Sequence, residues 1–238
     1  MSPKGTLYLI PTTLSDDSTN QSTTVYIKNL LIQIKEYIVE EEKSARKFIK
    51  SIDPSIVQNE LLLLRYGKHE RNEDMGKFFK GLEQGKAVGL MSEAGCPAIA
   101  DPGSEIVAEA HRRGIKVVPL VGPSSIILAL MASGFNGQNF TFWGYLPIDK
   151  NDRKKKVKEL ENLSERYNQT QIFIETPFRN HQLMSDLLLN CNQYTKLCVA
   201  RDVTGENEQI ISCTIAEWRK KEYDFNKIPC IFLLLKSS

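Results

Sequence analysis

The stretch MSEAGCPAIADPG, Met91–Gly103, directly follows the apolar run KAVGL and contains two prolines, two glycines and two carboxylates. Connections between a strand and a helix usually run about 2–6 residues, and this one is longer. Glycine and proline let a backbone turn sharply and approach a ligand closely. We therefore predict a functional loop at the end of a strand, while a plain connection between a strand and a helix stays the alternative.

Strand-like and helical patterns alternate around this loop. The short apolar runs are typical of strands and include GTLYLIP, EYIVEEE, LLLLRYG, KAVGLMS and IKVVPL. Helical patterns cover residues 25–37, 44–52, 74–85 and 103–113, the last with Asp101 as its N-cap. This alternation predicts a mostly parallel sheet covered by helices. A further helix from Pro123 is apolar on nearly every side, so we expect it to be buried.

The pattern changes after Gly137, where strand-like runs become more frequent: NFTFWGYLP, TQIFIETP, KLCVARDV, EQIISCT and PCIFLLLK. We therefore predict an α/β fold made of two α/β domains. Residues 1–120 form the first domain, with a mostly parallel sheet. Residues 121–238 form the second domain, with a more strand-rich mixed sheet.

The composition is that of an ordinary globular protein. Of the 238 residues, 41% are hydrophobic and 25% are charged, and the net charge of +2 does not single out a nucleic-acid-binding protein. No apolar run approaches the roughly 18–20 residues of a membrane helix, and the N-terminus lacks a signal-peptide pattern. We expect a cytoplasmic protein without membrane association. The five cysteines are dispersed and the three histidines are not spaced as ligands, which predicts reduced core thiols and no metal site.

Three loops are expected to meet at one edge of the first sheet, because ligands of open parallel sheets bind beyond the carboxyl ends of the strands. They are Pro11–Asp17, Ser92–Gly103 and Val121–Ser125. The last also begins a helix, whose free N–H groups can receive an acceptor. Such an edge suits a nucleoside-bearing cofactor. The chain has no GxGxxG motif after its first strand and no GxSxG motif, and GLEQGKA has the wrong spacing for a phosphate-binding loop.

Several motifs resemble a known enzyme family. The strongest are GLMSEAGCPAIADPGSEIV, GIKVVPLVGPSSIILALMASG and FTFWGYLP, with GTLYLIPT, FIETPFR and VARDVTGENE elsewhere. They resemble the tetrapyrrole (corrin/porphyrin) methylase superfamily and, within it, the ribosomal RNA small-subunit methyltransferase I family, which 2′-O-methylates a cytidine ribose. The likeness covers nearly the whole chain in order. It implies a homodimer that holds S-adenosylmethionine in a cleft between its two domains.

The resemblance also assigns cofactor-binding residues. The matching positions are Ile10, Pro11, Ser92, Glu93, Ala94, Gly95, Ser124, Ser125, Ile126, Ile174 and Pro229. Glu93 stands where the family usually has an aspartate. The family's acidic motif after the first strand appears here as TTLSDD, and its histidine-rich segment after the third strand as YGKHERNE. We associate these departures with the methyl acceptor more than with the cofactor.

A ribose hydroxyl is a poor nucleophile until its proton is removed, so a nearby base would help the transfer. The candidates are Glu175, Glu93 and Glu41. Glu175 ranks first as the catalytic residue, because its motif ends a strand that should face the cleft. An ion pair between Glu175 and Arg179, four residues on, is an equally supported alternative.

The run DRKKKVK, Asp152–Lys158, could follow a phosphate backbone if it is helical, although a solvated surface helix is the commoner explanation of such a run. The candidate substrate contacts are Arg153, Lys154, Lys155, Lys156 and Arg179, extended by Lys68, His69, Arg71 and Arg201. Phe178 could stack on a base. We expect Trp143 to belong to the core.

Three functional hypotheses remain open at this point. The first is an S-adenosylmethionine-dependent methyltransferase acting on a ribose 2′-hydroxyl of small-subunit ribosomal RNA, with that RNA or the small ribosomal subunit as its partner. The second is a methyltransferase acting on a tetrapyrrole or another small anionic metabolite. The third is a non-catalytic module that binds S-adenosylmethionine.

Overall fold

Two five-stranded sheets organise the described part of the chain. The computed structural model describes residues 3–15, 18, 22–67 and 75–236. Residue contacts group Met1–Ser124 into one compact unit and Ser125–Ser238 into another. Each unit contains one of the sheets. The domain limits 1–120 and 121–238 stay predictions.

The sheet of the first unit is entirely parallel among the described strands, in the order β3-β2-β4-β1-β5. Its strands are β1 (Thr6–Leu9), β2 (Glu36–Val39), β3 (Leu62–Arg65), β4 (Val88–Met91) and β5 (Lys116–Pro119). Its α-helices are α1 (Val25–Gln33), α2 (Glu42–Ile52), α3 (Lys80–Glu83) and α4 (Ser104–Arg112), and 3₁₀ turns cover Gln58–Glu60 and Met75–Phe79. The parallel sheet expected from the alternating pattern is thereby confirmed.

The central strand β4 is buried along its whole length, and its glycine sets the packing around it. A Cβ atom at Gly89 would lie 2.7 Å from side-chain atoms of both Ile10 and Tyr37. The Tyr37 hydroxyl donates to the carbonyl groups of Leu31 at 3.2 Å and Ile34 at 3.1 Å. Burial raises the pKa of Tyr37 above its ordinary value. Because Gly89 has no side chain, Ile10 and Tyr37 can pack directly against the sheet at this position.

All the predicted helices of the first unit shift in the structure. α2 begins at Glu42 rather than at residue 44, and the helix predicted for residues 74–85 is a 3₁₀ turn over Met75–Phe79 followed by α3, with Asp74 outside the described residues. α1 ends at Gln33, because Ile34 is extended and its N–H closes the last turn on Leu30. Apolar residues continue past Gln33 because the next strand, β2, is also buried, and this made the helix look longer in the sequence. α4 begins at Ser104 with Gly103 as its N-cap, at a φ of 128° that L side chains rarely adopt. The prediction that Asp101 caps this helix is wrong.

The second unit contains a mixed sheet in the order β6-β7-β10-β8-β9, in which β6 and β7 are parallel and the other neighbours are antiparallel. Its strands are β6 (Phe140–Tyr145), β7 (Thr170–Ile174), β8 (Lys196–Arg201), β9 (Gln209–Thr214) and β10 (Cys230–Leu235). Its helices are α5 (Ser125–Ser133), α6 (Lys150–Tyr167), α7 (Asn180–Asn190) and α8 (Ile215–Trp218). The predicted α/β fold, with a parallel first sheet and a mixed second sheet, is confirmed.

The second core is built around aromatic rings. Phe173 of β7 and Phe232 of β10 stack with their centroids 6.0 Å apart. Trp218 is fully buried, and its indole N–H donates to the Leu197 carbonyl at 2.8 Å. α6 begins beside this core with Asp149 as its N-cap, whose carboxylate accepts from the N–H groups of Asp152 and Asn151. These bonds hold the pKa of Asp149 below its usual range.

The helix α5 corrects another expectation. Ala129 is buried, but Ile127 and Met131 expose 45% and 74% of their surface. One face of this apolar helix therefore lies open, so the prediction of a fully buried helix is wrong.

The thiols follow the expected pattern of reduced core residues. Cys191, Cys198 and Cys230 are buried, and burial raises the pKa of each to about 12. Cys96 and Cys213 are half-buried and also free. Within the described ranges, no group of three or more His, Cys, Asp or Glu side chains could hold a metal ion. No helix in that part of the chain is long and apolar enough to cross a membrane.

Candidate active site

The carboxyl ends of the parallel strands bring the predicted loops of the first unit together. We call the residues that follow β1, β2, β4 and β5 the first edge. Ile10 and Pro11 follow β1, and Ser92–Gly95 follows the neighbouring strand β4. The Ile10 N–H donates to the Leu90 carbonyl at 2.9 Å, which keeps β1 and β4 paired to the edge itself. The first six predicted cofactor residues therefore lie side by side.

The loops after β1, β4 and β5 are tied to one another by hydrogen bonds that each involve a main-chain carbonyl. The Thr12 N–H donates to the Gly95 carbonyl at 2.9 Å. Gly95 has a φ of 74°, and a Cβ atom there would lie 3.1 Å from Leu14. The Cys96 thiol donates to the Pro123 carbonyl at 3.4 Å, and burial raises the pKa of that thiol. Glycine at position 95 therefore serves both the left-handed backbone and the close approach of the loops.

The loops after β1 and β5 approach so closely that only glycine fits between them. A Cβ atom at Gly122 would lie 2.2 Å from the Cβ of Pro11, far inside contact distance. Sequence reasoning did not include Gly122 among the site residues, although its position between a strand and a helix start was a usable signal. Gly122 and Thr12 are thus additions to the predicted site.

The loop Ser92–Gly103, which follows β4, contains strained backbone. Ala98 and Ala100 have φ values of 67° and 65°, the left-handed region that costs an L residue about 1–2 kcal/mol. The loop closes over a cavity of about 330 Å³ with mostly apolar walls, lined by Leu9, Pro11, Cys96, Pro97, Ala98, Ile99, Ser104, Val107, Pro119 and Leu120. Strained backbone of this kind is found at functional sites, and the functional role of this loop stays a prediction.

Carboxylates give the first edge a negative character next to these loops. Glu93 is exposed, and its Oε1 accepts from the Ser44 hydroxyl at 3.1 Å. The Glu93 N–H points to Glu40 Oε2 at 3.4 Å. Glu41 pairs with Arg65 at 3.3 Å. The ends of β2 and β4 therefore supply oxygen acceptors suited to hydroxyl and ammonium donors.

The remaining predicted cofactor residues lie where the loop after β5 ends and in the second unit. Ser124 and Ser125 are half-buried at the start of α5, and Ile126 is buried in its first turn. Ile174 ends β7, and Pro229 directly precedes β10, whose Ile231 pairs with Ile174. We call the residues at the C-terminal ends of β6, β7 and β8 and the N-terminal end of β10 the second edge. Ile174 and Pro229 both belong to it.

Glu175 lies at the second edge in an ion pair. Its Oε1 accepts from Arg179 Nη2 at 2.6 Å, from Arg179 Nε at 3.0 Å and from the Thr176 N–H at 2.7 Å. The carboxylate is buried. The pair with Arg179 that the sequence left open is thereby confirmed. Three hydrogen bonds converge on one oxygen of Glu175, and its catalytic assignment stays a prediction.

The basic run on α6 does not act as one surface. Arg153 is only 1% exposed, and its Nε donates to Asp186 Oδ2 on α7 at 2.7 Å. Its Nη1 donates to the carbonyl groups of Pro147 at 3.1 Å and Ile148 at 2.6 Å. Arg153 is therefore unable to reach a substrate, and its prediction as a substrate contact is wrong. A run of basic residues in a sequence does not reveal which of their side chains points into the core.

Lys156 is also engaged, whereas Lys154 and Lys155 face outward. The Lys156 ammonium lies 3.8 Å from the centroid of the Trp143 ring and 2.9 Å from Glu159. Trp143 is half-buried against the second core, and its N–H donates to Gln171 at 2.7 Å, so the expectation of a core residue is met in part. Lys68, His69 and Arg71 lie outside the described residues.

The fold and the first edge define a two-sheet α/β protein that can receive a nucleoside-bearing ligand at the carboxyl ends of its parallel strands. Comparisons with known proteins give this class a family. Residues 24–218 match the sequence model of the tetrapyrrole (corrin/porphyrin) methylases. The chain belongs to that family, and it is an S-adenosylmethionine-dependent methyltransferase.

Relatives at the level of sequence carry a more specific name. The chain is similar to the ribosomal RNA small subunit methyltransferase I of Halalkalibacterium halodurans, with 32% identity over 216 residues that cover 90% of this chain and 70% of that protein. It is similar to the protein of the same name in Bacillus subtilis, with 33% identity over 91% of this chain and 70% of that protein. The solved structure of the methyltransferase CobJ shares the fold, with a TM-score of 0.62, 17% identity and coverage of 99% and 95% of the two chains.

The residues of the first edge fit the chemistry of S-adenosylmethionine. Glu93 and Glu40 provide acceptors for hydroxyl or ammonium groups, and the cavity walls provide apolar surface. Among the residues that the structure describes, none accepts a hydrogen bond from the N–H groups of Ala94 and Cys96, which leaves these donors to a ligand. Ile10, Pro11 and Gly95 would hold the nucleoside by close backbone approach. A cofactor cleft between the two domains stays a prediction.

Replacing Gly122 with alanine tests the close approach of the loops. The added methyl group would overlap Pro11 and push the loops after β1 and β5 apart. We expect the affinity for S-adenosylmethionine, measured by calorimetric titration, to fall about tenfold or more. Gly137→Ala is the matched control, because a Cβ atom there meets nothing within 4 Å. Equal affinities of Gly122→Ala and the wild-type protein would show that the close approach of these loops is not needed to bind the cofactor.

Replacing Arg153 with methionine tests its structural role. The change leaves Asp186 buried without its partner, so we expect the free energy of unfolding in urea to fall by about 3–5 kcal/mol. Lys155→Met, on the same helix, breaks an exposed pair with Asp152 and should cost less than about 1 kcal/mol. If the two variants lose equal stability, the buried pair does not hold α6 to α7.

Proposed function

We propose that this protein transfers the methyl group of S-adenosylmethionine to a ribose 2′-hydroxyl of small-subunit ribosomal RNA. The observation that carries the proposal is the 32% identity to a ribosomal RNA small subunit methyltransferase I across 90% of the chain. The match includes residues of both sheets, so it covers more than the cofactor edge. A ribosomal substrate also accords with the expected cytoplasmic location.

The chain's main task in such a reaction is alignment. The bound cofactor supplies a methyl group on a sulfonium, which departs as a neutral thioether. The loops of the first edge hold the donor by backbone contacts, so that the acceptor oxygen can lie in line with the methyl group. Among the three carboxylates considered, Glu93 is the best placed to take the hydroxyl proton, because it is exposed and its side chain has one neutral partner, Ser44. Glu41 and Glu175 are engaged by arginines.

The outer face of α6 supports an RNA substrate. Lys155, Lys158 and Arg166 line a shallow groove of about 460 Å³, together with Glu159, Asn162 and Leu163. Among the described residues, Lys154 and Lys158 have no carboxylate within salt-bridge distance. We call Lys154, Lys155, Lys158 and Arg166 the basic face. Its charges repeat along the helix and suit the phosphates of one RNA strand.

We also propose that the protein is a homodimer. Ile127 and Met131 on α5 leave a large apolar surface open to solvent in the single chain. Side chains of this size on one helix face are typical of surfaces that another chain covers. Sedimentation of the purified protein at micromolar concentration tests this proposal, and a single species with the mass of one chain would contradict it.

Transfer of labelled methyl from S-adenosylmethionine to small ribosomal subunits tests the proposed function. We expect label in the ribosomal RNA and its loss when the target ribose carries a 2′-deoxy or pre-methylated group. Binding of the cofactor without transfer to subunits, but with transfer to a tetrapyrrole, would favour the small-molecule alternative. Binding with no transfer to either acceptor would favour the non-catalytic module. Absence of cofactor binding would overturn the assignment as a whole.

Reversing the charges of the basic face should weaken the RNA substrate selectively. In the triple variant Lys154→Glu, Lys155→Glu and Lys158→Glu, we expect the KM for small subunits to rise about tenfold or more at physiological salt. The affinity for S-adenosylmethionine should not change. The matched control reverses Lys196, Lys220 and Lys221, which are exposed and change the net charge by the same amount. Equal effects of the two triple variants would show a general charge effect and contradict a contact on α6.

A further inference from the structure

Two aromatic side chains at or next to the second edge are exposed to solvent. β6 and β7 are parallel, and Tyr145 at the end of β6 pairs with Ile174 at the end of β7. Tyr145 is 56% exposed, and Phe178, in the turn after β7, is 76% exposed. A phenyl ring gains about 1.5–3 kcal/mol when it is fully buried, so the Phe178 ring left in water calls for a partner.

A bulge directs one of these rings outward. The register between β6 and β7 shifts between Phe142 and Tyr145, and Gly144 has a φ of 66°. A bulge of this kind turns the next side chain away from the position that a regular strand would give it, and such bulges concentrate next to binding sites. Tyr145 is therefore exposed by the backbone of β6.

The turn that holds Phe178 is rigid. Arg179 bonds to the buried Glu175, which fixes the backbone on the C-terminal side of the ring. On its N-terminal side, the Pro177 carbonyl accepts from the Lys227 N–H at 3.1 Å. Asn180 is fully buried, and its amide donates to the Ile228 carbonyl at 2.7 Å. The ring of Phe178 is thus presented by a turn that is held from both sides before anything binds.

Cationic groups accompany the ring. Lys227 is exposed on the turn bonded to Pro177 and carries the net positive charge there. Arg179 and Glu175 balance each other's charge, but the Arg179 side chain keeps 30% of its surface in solvent. Protein–protein interfaces are depleted in lysine at their centres, whereas a ring flanked by cations is the usual platform for a base and its phosphates.

We propose that Phe178 stacks on an unpaired base of the RNA substrate, with Lys227 and Arg179 meeting the phosphates on either side of that base. Tyr145, on the neighbouring strand end, provides a second ring. The inference rests on the proposed function, because it concerns the RNA that receives the methyl group, and it adds a base contact to the phosphate contacts of the basic face. The site selects for single-stranded RNA, since a paired base cannot lie on a ring.

The binding test uses fluorescence anisotropy of a labelled oligouridylate of about ten nucleotides and of an abasic strand of equal length. We expect Phe178→Ala in the full-length protein to weaken binding of the oligouridylate about 5- to 100-fold and to leave binding of the abasic strand unchanged. Phe178→Trp should retain binding. Tyr194→Ala is the matched control, because Tyr194 is equally exposed, at 76%, but precedes β8 at the opposite edge of the sheet.

The charge contribution is tested separately with Lys227→Gln. We expect this variant to weaken both strands alike and to reduce the slope of log affinity against log salt by about one. Since Phe178 and Lys227 are exposed, the thermal midpoints of the variants should match the wild-type midpoint, which keeps the result free of folding effects.

Three results would overturn the inference. They are unchanged oligouridylate binding by Phe178→Ala, an equal loss on the abasic strand, or an equal loss in Tyr194→Ala. Reduced methylation of subunits by Phe178→Ala with unchanged RNA binding would also overturn it and would assign the ring to a protein of the subunit. None of these results touches the proposed function, which fails only if the wild-type protein does not methylate small-subunit RNA.

Discussion

The close packing of main chain against main chain at the first edge is the constraint on which the site depends. Thr12 bonds to Gly95, and Gly122 lies against Pro11, so three loops from three strands are held at very short separations. This arrangement leaves the N–H groups of Ala94 and Cys96 without an acceptor among the described residues. Its cost is the left-handed backbone at Ala98 and Ala100, which the surrounding loops must stabilise.

The second edge is built on a different principle, because buried ionic pairs position it. Arg153 reaches from α6 to Asp186 on α7 and to carbonyls of the turn after β6, while Arg179 holds Glu175 at the end of β7. A buried pair of this kind is costly to break from one side, so it fixes a loop more firmly than a surface pair does. Rigid turns are what a surface needs if it presents a side chain such as Phe178 to a large, flexible partner.

The sequence predicted the fold class and most of the first edge, because both follow from short-range patterns. Alternating strands and helices require a parallel sheet, and loops after its strands must meet at one edge. The errors concern whether a side chain points into the core or to the solvent, which a sequence pattern does not encode. Arg153 turned inward because its partner Asp186 lies on another helix, and α5 kept Met131 exposed although its neighbours in sequence are equally apolar. Gly122 was missed because its importance lies in the position of Pro11, more than a hundred residues earlier.

The distribution of charge explains how a protein with a net charge of +2 can engage RNA. Two of the acidic side chains on α6 are engaged away from the basic face: Glu161 accepts from the Asn192 N–H, and Glu165 pairs with Lys236. The lysines of the basic face are exposed, and within the described part of the chain only Lys155 among them has a carboxylate partner, Asp152. Since charges in physiological salt act over only about 8 Å, a phosphate bound at α6 responds mainly to the charges of that face. The same chain can therefore keep an acidic edge for the methyl donor and a basic surface for an anionic acceptor.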